Sequence, residues 1–91
     1  MNDELRITND ELRNNIRKLV AKIVKLPEEK VRFDADLFSD LNVDSLVGME
    51  IFAALDQKYD IVIPANHLQG ISTLDDLAQL VAQSLEEKGK A

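Results

Sequence analysis

The chain is poor in several residue types: its 91 residues include no cysteine, no tryptophan, one histidine and only three glycines. The absence of cysteine excludes disulfide bonds, thiolate catalysis and cysteine-based zinc sites. No apolar run approaches the roughly 18 residues that span a bilayer, and the polar start Met1-Asn2-Asp3-Glu4 differs from a signal peptide. We therefore expect a cytoplasmic protein with no stable membrane insertion.

Groups that could catalyse a reaction are also scarce. The single histidine, His67, lies in a turn-like segment with no carboxylate beside it in the sequence, which favours a surface or packing role. Asp75 and Asp76 fall in the first turn of a predicted helix, where the helix dipole favours negative charge. The acid-rich stretch 34–44 lacks the glycine and the closing glutamate of a calcium loop. We therefore predict that the protein is not an enzyme and has no metal site.

The charged residues are unevenly distributed along the chain, whose net charge is −6. Residues 33–87 hold eleven acids against Lys58 alone, whereas residues 1–32 hold eight bases and six acids. The anionic stretch repels nucleic acid and anionic lipid and favours basic protein surfaces, although solubility alone would also account for it. We expect protein partners and no nucleic acid.

The length allows one domain, and an apolar content of 45% is enough for one core. We predict a single domain over residues 1–91, with frayed ends at 1–8 and 88–91. A capping box at Thr8, followed by apolar residues at three- and four-residue steps, predicts a first helix over 9–25. Four bases fall between these apolar positions, and we expect them on a solvated face: Arg13, Arg17, Lys18 and Lys22.

The next segment, 26–43, shows no sustained period, but five apolar residues predict a long packed connection: Val31, Phe33, Leu37, Phe38 and Leu41. Asn42 adopts a left-handed backbone more easily than most residues. Asp44 is a good N-cap for a second helix that extends to about Tyr59. Gly48 in this helix costs up to ~1 kcal/mol relative to alanine, so it is either a harmless weak spot or a place of close approach.

The last third of the chain predicts one more long helix. Ile61-Val62-Ile63 followed by Pro64 reads as an extended link, since a single strand has no partner. Residues 65–70 allow a short third helix, and Thr73 caps a last helix over 74–87. The fold class is all-α: a small four-helix bundle, with three main helices plus the short third helix and a long packed loop between helices I and II.

Ser45 occupies an unusual position for a serine. It follows the predicted cap Asp44 and is the first residue of the second helix, where backbone N–H groups are unpaired and the helix dipole favours an attached phosphate. Ordinary capping chemistry is the other interpretation of a serine at this place. The residues alone leave both interpretations open.

Several motifs resemble the acyl carrier protein family, over about 80 residues without an obvious gap. The modification motif of that family, in which Asp-Ser-Leu opens helix II, is similar to the stretch Asp40-Leu41-Asn42-Val43-Asp44-Ser45-Leu46. Further matches follow in the family's order: Glu50, Ala54-Leu55, Tyr59, Ile61-Val62-Ile63-Pro64, and Ile71-Ser72-Thr73-Leu74-Asp75-Asp76-Leu77.

The resemblance implies a carrier protein and not an enzyme. Ser45, between the motif residues Asp44 and Leu46, would be esterified with 4′-phosphopantetheine by a phosphopantetheinyl transferase that uses coenzyme A and magnesium. The thiol of this arm would hold acyl intermediates as thioesters. Ser45 would then be a tether, the protein a monomer, and the chemistry that of visiting enzymes.

The resemblance also implies two sets of contact residues. Acyl-transferring, ligating or condensing enzymes with basic docking surfaces would meet Asp44, Leu46, Val47, Met49, Glu50, Asp56 and Asp60. An acyl chain sheltered inside the bundle would lie near Phe38, Leu55, Ile63, Leu68 and Ile71. Shelter is physically reasonable, because each exposed methylene costs about 0.8 kcal/mol.

The chain departs from the fatty-acid carriers at several positions. Asn42 stands where glycine is common, and the positions where acids are common hold Val47, Gln57 and Lys58. The less anionic surface favours a specialised carrier in a dedicated lipid or secondary-metabolite pathway. Two alternatives remain: an aminoacyl or peptidyl carrier, and a helical interaction module without a prosthetic group, in which Ser45 only supports the cap.

Overall fold

Three α-helices dominate the computed structural model, which describes residues 9–90. They are α1 (Asn9–Val24), α2 (Ser45–Tyr59) and α3 (Leu74–Lys90), and two 3₁₀ helices, Glu28–Lys30 and Ala65–Gly70, lie in the connections. Within the described range, the only β-type pairing is an isolated bridge between Asp36 and Thr73. The predicted all-α class, with three main helices and a short third one, is confirmed.

The core forms where the apolar faces of the three helices meet. α1 packs against both α2 and α3, and α2 packs against the 3₁₀ helix Ala65–Gly70. Nine side chains are almost completely buried: Ile16, Val20, Val31, Leu37, Ile51, Leu55, Leu74, Leu77 and Val81. Each contributes about 1.5–3 kcal/mol by leaving water. None of the buried side chains in the described range is polar or charged, and none of its helices is long and apolar enough to cross a bilayer.

Most helix ends lie where the sequence predicted them. α1 ends at Val24 rather than 25, and α3 continues to Lys90, beyond the predicted end at 87. Residues 88–90, predicted to fray, are therefore helical here, and Lys88 Nζ lies 3.1 Å from an Asp60 carboxylate oxygen and 3.3 Å from the Tyr59 carbonyl oxygen. The other predicted frayed segment, 1–8, lies outside the described residues.

The carboxyl end of α2 holds the only tyrosine of the chain. Tyr59 is 8% exposed and packs in the core, and burial raises the pKa of its phenol.

The connection between α1 and α2 is held against the start of α3. Val31, Leu37 and Leu41 are buried in it, as predicted, and Leu37 N–H donates to the Ser72 carbonyl at 2.8 Å. In return, the first amides of α3 donate to carbonyls of the connection, Leu74 to Ala35 at 3.1 Å and Asp75 to Phe33 at 2.9 Å. These bonds satisfy helix N–H groups that have no partner inside the helix.

The expectation that the α1 bases form only a solvated face is wrong for two of the four. The guanidinium carbon of Arg13 lies 4.3 Å from the centre of the Phe33 ring, and that of Arg17 lies 5.6 Å from it. Arg13 also forms an ion pair with Asp75 at the start of α3. Stacking on a ring explains the difference, because an arginine attracts the face of an aromatic ring. Lys18 and Lys22 are exposed, as expected.

α1 and α2 end on residues with left-handed backbone. Lys25 has a φ of 63°, and the Leu26 amide donates to the Ala21 carbonyl at 3.0 Å, which is the bond of a Schellman motif. Asp60 has a φ of 54° at the same place after α2. A side chain costs roughly 1–2 kcal/mol in this conformation, and glycine avoids that cost.

We expect Lys25→Gly to raise the free energy of unfolding by about 0.5–1 kcal/mol, because glycine removes the strain of the left-handed residue. Urea denaturation measures the change. The matched control is Lys22→Gly, an exposed position inside α1, which should lower the free energy of unfolding by about 1 kcal/mol. Equal destabilisation by both substitutions would contradict the prediction.

Candidate functional site

Ser45 is exposed at the first position of α2, and its hydroxyl is not used for capping. The residue before it, Asp44, has extended backbone and accepts the Val47 amide on its side chain at 2.8 Å. The Asp44 carbonyl accepts the Gly48 amide at 2.8 Å. The Ser45 hydroxyl makes no hydrogen bond to any residue that the structure describes. The cap is therefore Asp44, and the interpretation of Ser45 as a capping residue is not supported.

The turn that leads into α2 is fixed on both sides by buried residues. Leu41 and Val43 are 2% and 3% exposed, and the Val43 amide donates to the Leu37 carbonyl at 2.9 Å. Between them, Asn42 has a φ of 57°, which confirms the predicted left-handed backbone. Because two anchored side chains flank this turn, the start of α2 has a defined place beside the connection.

Two carboxylates organise the segments around this turn. The Asp36 carboxylate accepts hydrogen bonds from the amides of Ser39 and Phe38, each at 2.9 Å. These two bonds hold the pKa of Asp36 below its ordinary value, and the bond from Ser39 has the larger effect. Asp76 accepts the amides of Thr73 and Ser72, and these lower its pKa in the same way. The Asp76 amide donates to the Thr73 hydroxyl at 3.1 Å, so the predicted cap of the last helix is confirmed.

The folded protein should lose stability in acid through Asp36 and Asp76. Both folded pKa values lie below the ordinary 3.8, so the unfolded chain binds more protons as the pH falls. Their contribution is complete above about pH 5 and is lost as the pH falls through the folded pKa values. In urea unfolding at neutral pH and at about pH 3, the double variant Asp36→Asn with Asp76→Asn should lose less stability than the unchanged chain.

The control for this measurement is Glu87→Gln, which removes an exposed carboxylate from the far part of α3. It should leave the loss of stability between the two pH values nearly unchanged. An unaltered acid dependence in the double variant would show that these two groups do not cause it.

An open cleft of about 560 Å³ adjoins Ser45. Three separate segments line it: the connection through Phe38, α2 through Ser45 and Met49, and the 3₁₀ helix Ala65–Gly70 through Leu68 and Gln69. Phe38 is 38% exposed and Met49 54% exposed. Phe38 was predicted to help pin the connection, but its ring lies at the surface, where it lines the same cleft as Ser45.

Gly48 is the place of a close approach. A Cβ atom at this position would lie 2.7 Å and 2.8 Å from the two terminal methyl carbons of Leu68, which real Cβ atoms essentially never do. Gly48 is buried, whereas Leu68 is half-buried on the neighbouring 3₁₀ helix. Of the two interpretations of Gly48, the close approach is therefore the correct one.

The five residues predicted to surround an acyl chain occupy three different places. Phe38 and Leu68 line the cleft beside Ser45. Ile71 lines a second, internal space that has no room for a water molecule, and Leu68 lines this space as well as the cleft. Leu55 and Ile63 are 0% and 5% exposed in the packed core. The structure thus brings Phe38 and Leu68 together near the serine, and it adds Met49 and Gln69, which the sequence did not place in this set.

The predicted docking residues also fall into separate groups. Leu46 is 71% exposed, and Asp44, Met49 and Glu50 are exposed near Ser45, whereas Val47 is half-buried. Asp56 and Asp60 lie about three turns or more from Ser45, and both carboxylates have partners. The Asp56 carboxylate accepts the Ile63 amide at 3.1 Å, and Asp60 pairs with Lys88. Asp60 is separated from Ser45 by the length of α2, roughly 20 Å.

Comparison with known proteins places the chain in a family. Residues 14–81 match the family described as "Phosphopantetheine attachment site". The chain is 33% identical over 73 residues to polyketide-8 synthase acyl carrier protein 2 of Streptomyces avermitilis, covering 80% of this chain and 84% of that protein. It is 30% identical over 76 residues to an acyl carrier protein of Bdellovibrio bacteriovorus, covering 84% and 92%.

The fold is similar to a solved carrier domain as well. The NMR structure of the HMG-ACPI domain from the CurA module of Lyngbya majuscula matches with a TM-score of 0.77 and 28% identity, over 90% of this chain and 82% of that one. The chain therefore belongs to the phosphopantetheine attachment site family. It is a phosphopantetheine carrier of the acyl carrier protein type and not a catalyst, and its cofactor is covalently attached 4′-phosphopantetheine. The predicted family and cofactor are confirmed.

Proposed function

We propose that Ser45 is the attachment residue and that the chain uses the attached arm to carry acyl intermediates between enzymes. The observation that supports this most directly is the exposed hydroxyl of Ser45 at the edge of an open cleft. This hydroxyl is not needed to cap α2, because Asp44 is the cap. When bound, the arm supplies a terminal thiol that holds an acyl group as a thioester. The residues around Ser45 fit such a group, because they leave both the hydroxyl and the space beside it accessible.

Attachment requires one group transfer from coenzyme A. The Ser45 oxygen forms a bond to phosphorus, the pyrophosphate bond of coenzyme A breaks, and adenosine bisphosphate leaves. The hydroxyl proton passes to a base of the phosphopantetheinyl transferase. At the start of α2, the amides of Ser45 and Leu46 have no partner within the helix, and together with the helix dipole they favour the negative charge of the resulting phosphodiester.

Incubation with coenzyme A, magnesium and a promiscuous phosphopantetheinyl transferase should add the mass of one phosphopantetheine to the intact protein. Ser45→Ala should abolish the shift, because it removes the only atom that we propose for attachment. The matched control is Ser39→Ala, an exposed serine in the preceding connection, which should keep the shift. A full shift in Ser45→Ala, or none in the unchanged chain with an active transferase, would refute the assignment.

The surface next to Ser45 suits basic partner enzymes. We define the docking patch as Asp44, Leu46, Met49 and Glu50, in which two exposed apolar side chains lie between two carboxylates. Apolar contact supplies affinity, and the flanking charges steer a partner of opposite charge. The partners that we propose are the transferase and acyl-transferring, ligating or condensing enzymes. Asp56 and Asp60 are less suited, because hydrogen bonds and an ion pair already engage them.

Charge reversal in the docking patch should slow modification of Ser45. We expect Glu50→Lys to lower kcat/KM of the transferase by roughly 3–10-fold at low salt, with a smaller effect at high salt, because steering by exposed charges is screened. The control Glu87→Lys makes the same change on α3, outside the docking patch, and should have little effect. Equal losses in both variants would show that only net charge matters.

A dedicated pathway is the finer part of the proposal. It is supported by Val47, Gln57 and Lys58, which stand where the fatty-acid carriers commonly have acids. It is also supported by the 33% identity to a polyketide synthase carrier. We therefore propose a carrier for a specialised lipid or secondary-metabolite synthase rather than for general fatty-acid synthesis.

A further inference from the structure

Leu68 separates two spaces near Ser45. The outer cleft is the open space lined by Phe38, Ser45, Met49, Leu68 and Gln69. The inner void is the narrow apolar space lined by Leu37, Val43, Gly48, Ile51, Phe52, Leu68, Ile71 and Leu77. Leu68 is the one residue that lines both, so its side chain is the partition between them.

The inner void is much smaller than the outer cleft. It has no room for a water molecule, whereas the outer cleft has a volume of about 560 Å³. Its walls are apolar side chains together with the bare backbone of Gly48. Because apolar voids of this kind stay dry, a ligand that entered would have to be apolar and would have to displace wall atoms.

The Leu68 side chain packs directly against the backbone of Gly48. The terminal carbons of Leu68 occupy the volume that a side chain on α2 would take at this position, since a Cβ would approach them to 2.7–2.8 Å. Leu68 is only half-buried and belongs to the 3₁₀ helix Ala65–Gly70, not to a long helix. A leucine in this setting can change rotamer into the outer cleft without moving α2.

We propose that Leu68, resting on Gly48, determines which acyl cargo this carrier shelters, an inference that rests on Ser45 carrying the arm. A short acyl group lies in the outer cleft against Phe38, Met49 and Leu68. A longer aliphatic chain enters the inner void only after the Leu68 side chain moves away from Gly48. The carrier therefore holds short acyl groups without rearrangement and shelters long ones poorly.

The selection follows from opposing effects. Each methylene that leaves water favours the sheltered state by roughly fourfold, so longer chains gain more by entering. Displacement of Leu68 opposes entry, because its methyl groups lose their contact with α2 and become exposed. Removing the leucine side chain should therefore admit chains that the unchanged protein keeps outside.

The test compares the unchanged protein with Leu68→Ala. The transferase loads the apo form of each from butanoyl or octanoyl coenzyme A, so that Ser45 gains the acylated arm and adenosine bisphosphate leaves. Methyl NMR signals of Ile51 and Leu77 report on the inner void, and those of Met49 on the outer cleft. In the unchanged protein, both cargoes should shift Met49 and leave Ile51 and Leu77 nearly unshifted. In Leu68→Ala, octanoyl should shift Ile51 and Leu77, and butanoyl should not.

Cleavage of the thioester by hydroxylamine gives an independent readout. Octanoyl should be cleaved several-fold more slowly on Leu68→Ala than on the unchanged protein, by about fourfold for each methylene newly sheltered as an upper bound. The matched control is Leu85→Ala, a half-buried leucine of α3 that lines neither space and should change neither readout. Octanoyl that reaches Ile51 and Leu77 equally with and without the leucine, or in neither protein, would overturn the proposal.

Gly48→Ala tests the contact between Gly48 and Leu68 while the Leu68 side chain is kept. Its methyl group cannot coexist with Leu68 in its present position, so the Leu68 methyl signals should shift strongly while α2 stays helical. Unshifted Leu68 signals would overturn the role of Gly48. The mass of the intact protein distinguishes failure of the proposed function from failure of the role of Leu68. A protein that gains no phosphopantetheine refutes the proposed function. A loaded protein in which Leu68→Ala does not change the position of the acyl chain refutes only the role of Leu68.

Discussion

The hydrogen bond from the Val47 amide to the Asp44 carboxylate determines what Ser45 is able to do. An α-helix begins with amides that need an acceptor, and a serine near a helix start ordinarily supplies one. Here the residue before it does so, at 2.8 Å, and the serine occupies the first helical position with its hydroxyl unengaged and exposed. The same few atoms thus start α2 and leave an accessible oxygen at its amino end.

The place of that helix start depends in turn on α3. The connection before α2 supplies acceptors for the first amides of α3, and α3 supplies, through Ser72, an acceptor for the connection. Asp36 and Asp76 close the two turns where these segments meet. The pairing of Asp36 with Thr73 lies at the centre of this contact. Distant parts of the chain are therefore needed to place one hydroxyl, although the helix that carries it is continuous.

Local signals in the sequence were sufficient to predict the helices and the position of Ser45 at the start of α2. Asp44 and Thr73 act as caps through contacts within three residues, Asn42 needs only its own backbone preference, and the apolar period finds the buried faces. The family motif around Ser45 is also local. Such features are predictable because the interactions that produce them do not depend on how the helices are arranged.

Features that depend on tertiary contact were missed or left undecided. No local pattern shows that Leu68 lies on Gly48, twenty residues earlier, or that Arg13 and Arg17 stack on Phe33. The outward position of Phe38 and the engagement of Asp56 by the Ile63 amide likewise arise from how separate segments meet. For the same reason, the predicted acyl-chain set mixed residues of the cleft with residues of the core.

The buried position of Tyr59 has a practical consequence for spectroscopy. The chain has one tyrosine and no tryptophan, so its near-ultraviolet absorbance and intrinsic fluorescence come almost entirely from one ring. That ring is packed in the core at the opposite end of α2 from Ser45. Optical signals from the chain therefore report on the packing of the core around Tyr59, which is lost on unfolding, and not on the surroundings of the amino end of α2.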